Sequence, residues 1–147
     1  MKKHEITTAL EALKPIRMNK IGDKKLKAAL VSGYVTLVRE KRKLDEDIAA
    51  LKEAHLGNYA EEQETVGKLQ QQLQTEADRE KQAALIREIN SHKELFAAIT
   101  DFNKAIDDLG KEEIEIARLE QDKFIEEMDA QDWNLGLLDA VFPMFNS

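Results

Sequence analysis

The chain has 147 residues, two prolines, no cysteine and a formal net charge of −7 at pH 7. Its length suffices for one domain with its own core, and the lack of cysteine excludes disulfides, thiolate metal sites and a cysteine nucleophile. We find no secretory signal and no run of 18 apolar residues, so we expect a cytoplasmic protein that does not span a membrane.

Helix-forming residues dominate the sequence, which predicts an all-α fold in a single domain covering residues 1–147. The first predicted helix is short and covers residues 4–13, ending before Pro15. The second and longest covers residues 23–56. Its apolar residues recur in alternating steps of four and three from Leu30 to Leu51, which keeps them on one helical face.

Residues that favour the start and the stop of a helix lie at the two ends of this long helix. Asp23 is placed to cap its first turn, and Gly57 offers a left-handed stop after its last. Val31, Val35 and Val38 lie outside the main apolar row in the first half of the helix. We expect them to widen the buried face and to be covered by further parts of the chain.

Two more helices follow in the middle of the chain. A narrow apolar row predicts a glutamine-rich helix over residues 59–74. After a short loop capped by Asp78, a second long helix is predicted over residues 79–109. Its apolar residues, from Leu85 to Ile106, repeat the four-and-three spacing, with His92 as a partly buried, hydrogen-bonded member.

The two long helices have apolar rows of equal length. We therefore predict an elongated, antiparallel, coiled-coil-like helical hairpin with short flanking helices, in which Leu51 lies against Leu85. The segment from Glu113 to Ile116 alternates charged and apolar residues, and both an extended strand and a continued helix fit it. A C-terminal helical segment is predicted over residues 122–142, with Asp132 capping its last helix.

Several stretches of the chain carry a family resemblance. They are Ala9–Leu13 leading into a basic connector, the charged end of the long helix at Lys41–Leu51, and Phe102–Leu109 followed by Glu113–Ile116 and a closing apolar helix. Together they resemble a family of small helical proteins of unknown function encoded by phages and prophages. The resemblance covers residues 5–55 and 96–143. It implies an origin in a mobile genetic element and no established activity.

Two pairs of carboxylates are the candidate metal ligands, Glu112 with Glu115 and Glu126 with Asp129. Residues three apart share a helical face, and two facing pairs can hold Mg²⁺ and orient a polyphosphate. The pattern is similar to all-α nucleotide pyrophosphohydrolases of the MazG type, which is the first alternative function. Such pairs arise easily by chance in an acidic chain, so we assign no catalytic, cofactor or metal residue.

The C-terminal segment concentrates apolar side chains in a chain with 5% aromatic residues. The predicted partner-binding residues are Trp133, Leu138, Phe142, Met144 and Phe145. Met144 and Phe145 follow a proline and are expected to be exposed anchors. We therefore predict a non-enzymatic interaction or assembly protein without a cofactor, whose partner is another protein or a second copy of itself.

Positive charge is concentrated in residues 1–55, with a net charge of +5 against −12 for residues 56–147. A second alternative function is nucleic-acid binding through Lys14, Arg17, Lys20, Lys24, Lys25 and Lys27. We do not expect it, because the acidic remainder repels phosphates over roughly 8 Å at physiological salt.

Overall fold

The computed structural model describes residues 1–146, which form seven α-helices and no strand. Their bounds are α1 (Ile6–Leu13), α2 (Lys24–Leu56), α3 (Ala60–Thr75), α4 (Arg79–Asn90), α5 (Lys93–Lys111), α6 (Gln121–Gln131) and α7 (Leu135–Val141). Helical structure makes up 82% of the chain, so the predicted all-α class is confirmed. Within the described part, no helix combines the length and apolar character needed to cross a bilayer.

The chain divides into two compact units. The first contains Met1–Glu46 together with the chain from Asp108 onward, and the second contains Asp47–Asp107. Leu37 and Leu44 of the first apolar row are buried in the first unit, and Ile89 of the second row is buried in the second unit. These three residues therefore face protein rather than water, as the spacing predicts.

The second unit is built on an antiparallel hairpin of α3 and α4. Only Glu76–Asp78 separate these helices, and a connection this short makes packed neighbours antiparallel. Asp78 caps α4 as predicted, because its Oδ1 accepts from the Glu80 N–H at 2.9 Å. The buried cluster contains Val66, Leu69, Ile89 and Leu95, with Tyr59, Leu73, Leu85, Phe96 and Ile99 packed against it.

Within this unit, the predicted pairing of Leu51 with Leu85 is wrong. Leu85 packs in the cluster with α3, and Leu51 is not part of that cluster. Helices joined by a short connection are usually neighbours in space, and the narrow apolar row of α3 packs against α4. Gly57 does not provide the predicted left-handed stop, since no glycine in residues 1–146 has a positive φ. A 3-10 turn at Gly57–Tyr59 leads directly into α3.

The helix predicted over residues 79–109 is broken at Ser91 and His92. The Ser91 Oγ donates to the Glu88 carbonyl at 2.6 Å, which satisfies a carbonyl at the end of α4. His92 immediately precedes the next helix and is half-buried. Its Nδ1 lies 2.6 Å from Glu62 Oε1, so the predicted hydrogen-bonded, partly buried histidine is confirmed.

In the first unit, α1 packs against α7. Ile6 and Leu13 are buried on α1, and Leu137 and Val141 are buried on α7. The segment after α5 is extended rather than helical. Its Ile114 N–H donates to the Met1 carbonyl at 2.9 Å, within an antiparallel bridge between the chain start and this segment.

Glu127 on α6 is hydrogen-bonded to the backbone at the start of α2. Its Oε1 accepts from the N–H groups of Gly22 and Asp23, and its Oε2 accepts from Gln131 Nε2 at 3.3 Å. Asp23 caps the helix as predicted, because its Oδ1 accepts from the Leu26 N–H at 2.9 Å. A carboxylate is favourable at this end because the N–H groups of the first turn lack partners and carry partial positive charge.

In the connection from α6 to α7, one of the predicted helix caps is wrong. Asp132 does not cap the last helix but ends α6 in a left-handed conformation, with φ 55°. Asn134 caps α7 instead, accepting from the Gly136 N–H at 2.8 Å. Both asparagine and aspartate suit either position, so composition alone does not separate the two roles.

Candidate protein-interaction surface

Three exposed valines form a row on α2, which we call the valine stripe (Val31, Val35 and Val38). They keep 40%, 60% and 37% of their accessible surface. The spacing of four and three residues puts them on one helical face. Single exposed apolar residues are common, whereas a row of β-branched residues adds neither helix propensity nor burial to the folded chain. The stability of the chain therefore does not explain the stripe.

The expectation that other parts of the chain cover these valines is wrong. Leu26, Leu30, Gly33 and Leu37 are the buried residues in the same part of α2. At 100° per residue, the centre of this buried face lies about 140° around the helix from the centre of the valine stripe. The core covers the buried face of α2, so the face with the three valines stays in contact with water.

Gly33 marks the place where the C-terminal segment contacts the buried face of α2. A β-carbon at Gly33 would lie 2.6 Å from the terminal methyl of Met144 and 3.9 Å from Ile116 Cγ1. This close approach accounts for a glycine in the middle of a helix, where it lowers stability by about 1 kcal/mol relative to alanine.

Exposed cations flank the valine stripe at both ends. Lys24 precedes it by seven residues and Arg42 follows it by four, which puts both on its helical face. Neither forms an ion pair with a carboxylate of residues 1–146. The carboxylate between them in sequence, Glu40, is engaged by Arg39 and Lys43 at 3.5 Å and 3.3 Å. The stripe is thus an apolar surface in a positive field, which favours an acidic partner.

The five predicted partner-binding residues differ in burial. Phe142 is 53% exposed, whereas Trp133 and Leu138 are half-buried. Met144 and Phe145 keep 0% and 3% of their accessible surface, so the expectation that they are exposed anchors is wrong. Partner binding by the rest of the segment stays a prediction.

Hydrogen bonds and ring contacts fold the end of the chain back onto the first unit. The Leu119 N–H donates to the Met144 carbonyl at 3.0 Å, and Arg118 Nε donates to the Phe145 carbonyl at 3.0 Å. The Phe145 ring lies 5.5 Å from that of Phe124. The residues after the proline therefore complete the core.

The outward side of α7 and the residue that follows it form a second exposed patch, the C-terminal face (Leu135, Asp139 and Phe142). Leu135 is 71% exposed and Asp139 is also exposed. The spacing of four and three residues matches that of the valine stripe. Leu135 is not among the predicted partner-binding residues, because spacing alone does not show which apolar residues of α7 stay exposed.

The candidate metal ligands do not form a site. Glu112 follows the end of α5 and pairs with Lys3 at 2.7 Å, and Glu115 lies in the extended segment. The premise that these two share a helical face is therefore wrong. Glu126 and Asp129 are exposed on α6. Across residues 1–146, no group of three acidic or histidine side chains is arranged to hold a metal ion.

Of the six basic residues proposed as a nucleic-acid surface, Lys14 forms an ion pair with a carboxylate. Lys14 Nζ donates to Glu11 Oε1 at 2.7 Å, and this hydrogen bond and charge raise the pKa of Lys14 above its ordinary 10.5. Arg17 and Lys20 line an open cleft of about 310 Å³ with Pro15, Gln131 and Trp133. Lys24 and Lys25 are exposed and Lys27 is half-buried.

The valine stripe and the C-terminal face are the surface features that the core of the first unit leaves unexplained. Both combine a row of apolar residues with nearby charge, positive beside the valine stripe and negative within the C-terminal face. The chain matches no protein-family model, no curated protein and no solved structure.

Proposed function

We propose that this chain is a non-enzymatic helical interaction protein that binds a protein partner through the valine stripe. The observation that carries the proposal is the row of three valines, exposed on the side of α2 opposite its buried face. Residues spaced in this way suit a helix packed along the stripe. The exposed Lys24 and Arg42 favour a partner helix that carries carboxylates beside its apolar residues.

The valines supply part of the binding free energy. Full burial of a valine contributes about 1.5 kcal/mol, so covering the surface that these three still expose contributes roughly 2 kcal/mol. This corresponds to about a 30-fold change in Kd. A micromolar complex needs about 8 kcal/mol, so charged and apolar contacts around the stripe supply the remainder.

From the family resemblance we also propose that the chain is encoded by a phage or prophage. In a phage or prophage, a small helical protein of this kind would act as an accessory or assembly factor by binding other proteins. Neighbouring genes for capsid and tail proteins would support this setting. Genes of nucleotide metabolism beside it would count against it.

Site-specific photo-crosslinking tests the proposal directly. A benzophenone amino acid at Val35 is expected to give a discrete cross-linked species in cells that express the chain naturally. The matched control carries the same group at Ile86, a single exposed apolar residue of the second unit that keeps 45% of its surface. Changing both Val31 and Val38 to serine is expected to remove the product. Equal products at Val35 and Ile86, or none at Val35, would refute the proposal.

A further inference from the structure

We propose that the partner on the valine stripe is the C-terminal face of a second copy of this chain. The inference rests on the function proposed above and identifies the occupant. Both surfaces belong to the first unit, so every copy offers one of each. Two copies can then contact each other through unlike surfaces, either twice in a closed dimer or once per step in a longer assembly.

The apolar residues of the two surfaces match in spacing. Leu135 and Phe142 are seven residues apart, as are Val31 and Val38, which corresponds to about 10 Å along a helix. Leu135, Val35 and Phe142 are the three most exposed large apolar residues in the described part of the chain, at 71%, 60% and 53%. Packing one row on the other removes all three from water.

The charges of the two surfaces are opposite. Asp132 and Asp139 lie before and within the C-terminal face, are exposed, and have no ion pair among residues 1–146. Arg118 also lies at this end, with its Nε donating to the Phe145 carbonyl. A contact of two valine stripes would instead bring two positive surfaces together, which disfavours it.

The charges also select a direction. When α7 lies antiparallel to α2, Leu135 falls at Val38 and Phe142 at Val31. Asp132 precedes α7 at its Leu135 end, outside the helix, so this direction brings its carboxylate to the end of the stripe where Arg42 follows Val38 by about one turn. In the parallel direction, the Leu135 end of α7 falls at Val31, and the cation at that end, Lys24, lies about 10 Å farther along α2. The antiparallel arrangement is therefore the one we infer.

Disulfide trapping distinguishes these arrangements cleanly, because the chain contains no cysteine of its own. Purified Val38→Cys and Leu135→Cys proteins are mixed and oxidised. We expect a mixed disulfide between the two variants, identified by mass spectrometry of the linked peptides, since such a bond needs α-carbons within about 7 Å. The control mixtures pair Leu135→Cys with Val31→Cys, at the wrong end of the stripe, and with Ile86→Cys.

The outcomes separate this inference from the function on which it rests. If Val38→Cys alone links as well as the mixture does, or if the mixture links no faster than the Ile86→Cys control, the C-terminal face is not the occupant. A photo-crosslink from Val35 to a different protein would then keep the proposed function while refuting this inference. Loss of the Val35 photo-crosslink as well would refute both.

Sedimentation velocity over a range of concentrations provides an independent measurement on the unmodified chain. Wild-type protein is expected to self-associate more weakly as salt increases, because salt screens exposed charges. Arg42→Glu is expected to weaken association about tenfold, since repulsion replaces an ion pair. Lys52→Glu, in the second unit, is the matched control. A wild-type chain that stays monomeric, or an Arg42→Glu chain that associates like wild type, would overturn the inference.

Discussion

Replacement of Glu127 measures how strongly a buried carboxylate connects α6 to the start of α2. Glu127 keeps 8% of its accessible surface. It accepts from the N–H groups of Gly22 and Asp23 and from the Gln131 amide. We expect Glu127→Gln to destabilise the first unit and Glu127→Ala to destabilise it further.

The expected magnitude follows from these contacts. A hydrogen bond to a charged group contributes about 1.5–3 kcal/mol, and a negative charge at a helix N-terminus contributes about 0.3–1 kcal/mol. Glutamine keeps an acceptor but removes the charge, so we expect Glu127→Gln to lower the free energy of unfolding by about 1–2 kcal/mol. Alanine leaves partly buried N–H groups without an acceptor, and we expect a loss of about 3 kcal/mol.

Urea denaturation followed by tryptophan fluorescence is the appropriate assay. Trp133 is the single tryptophan, and its ring lies 5.4 Å from that of Phe124 on α6, so its emission reports on the first unit. Glu126→Gln is the matched control, because Glu126 is an exposed neighbour whose contact to Lys123 is 3.5 Å long. A change within about 0.5 kcal/mol is expected there. Equal urea midpoints for Glu126→Gln and Glu127→Gln would refute the reasoning.

Two further predictions concern close contacts in the two units. Gly33→Val is expected to lower the free energy of unfolding by about 1–3 kcal/mol, because the added atoms displace the buried Met144 methyl. In a Met144→Ala background the same change should be smaller in urea denaturation, and an equal effect in both backgrounds would exclude this contact as the cause. Glu62→Gln is expected to weaken the bond to His92 and to speed amide hydrogen exchange in α4 and α5, by an amount corresponding to about 1 kcal/mol. Glu61→Gln, on an exposed neighbour, should leave exchange unchanged; equal protection in both variants would contradict the prediction.

Local chemistry made most helix positions predictable from the sequence. The long helix was expected over residues 23–56 and covers Lys24–Leu56. It was predictable because a capping aspartate and a sustained 3.5-residue apolar repeat both depend on interactions between residues that are close in the chain. The break at Ser91 was not predictable in this way. The apolar spacing continues across it without proline or glycine. The serine hydroxyl ends α4 by donating a hydrogen bond to a backbone carbonyl, which competes with the helical hydrogen bonds of the backbone.

The candidate surface was only partly predictable. Spacing predicted correctly that the face of α2 with Leu30 is buried, but it could not show that Val35, on another face, stays exposed. The same limit applies to the chain end. A position after a proline indicates a turn, yet the direction of that turn depends on acceptors and donors from other elements, here the N–H of Leu119 and the guanidinium of Arg118.

By itself, the sequence determined the all-α class, the helix starts at Asp23 and Asp78, and the apolar rows that had to be buried, because these depend on interactions between residues close in the chain. Only the tertiary structure decided which helices pair, that Met144 closes over Gly33, and that the valine stripe faces water. Those outcomes depend on competition between apolar faces of similar composition. Which apolar face is buried depends on which neighbouring element fits against it in space. Residue spacing carries no information about that fit.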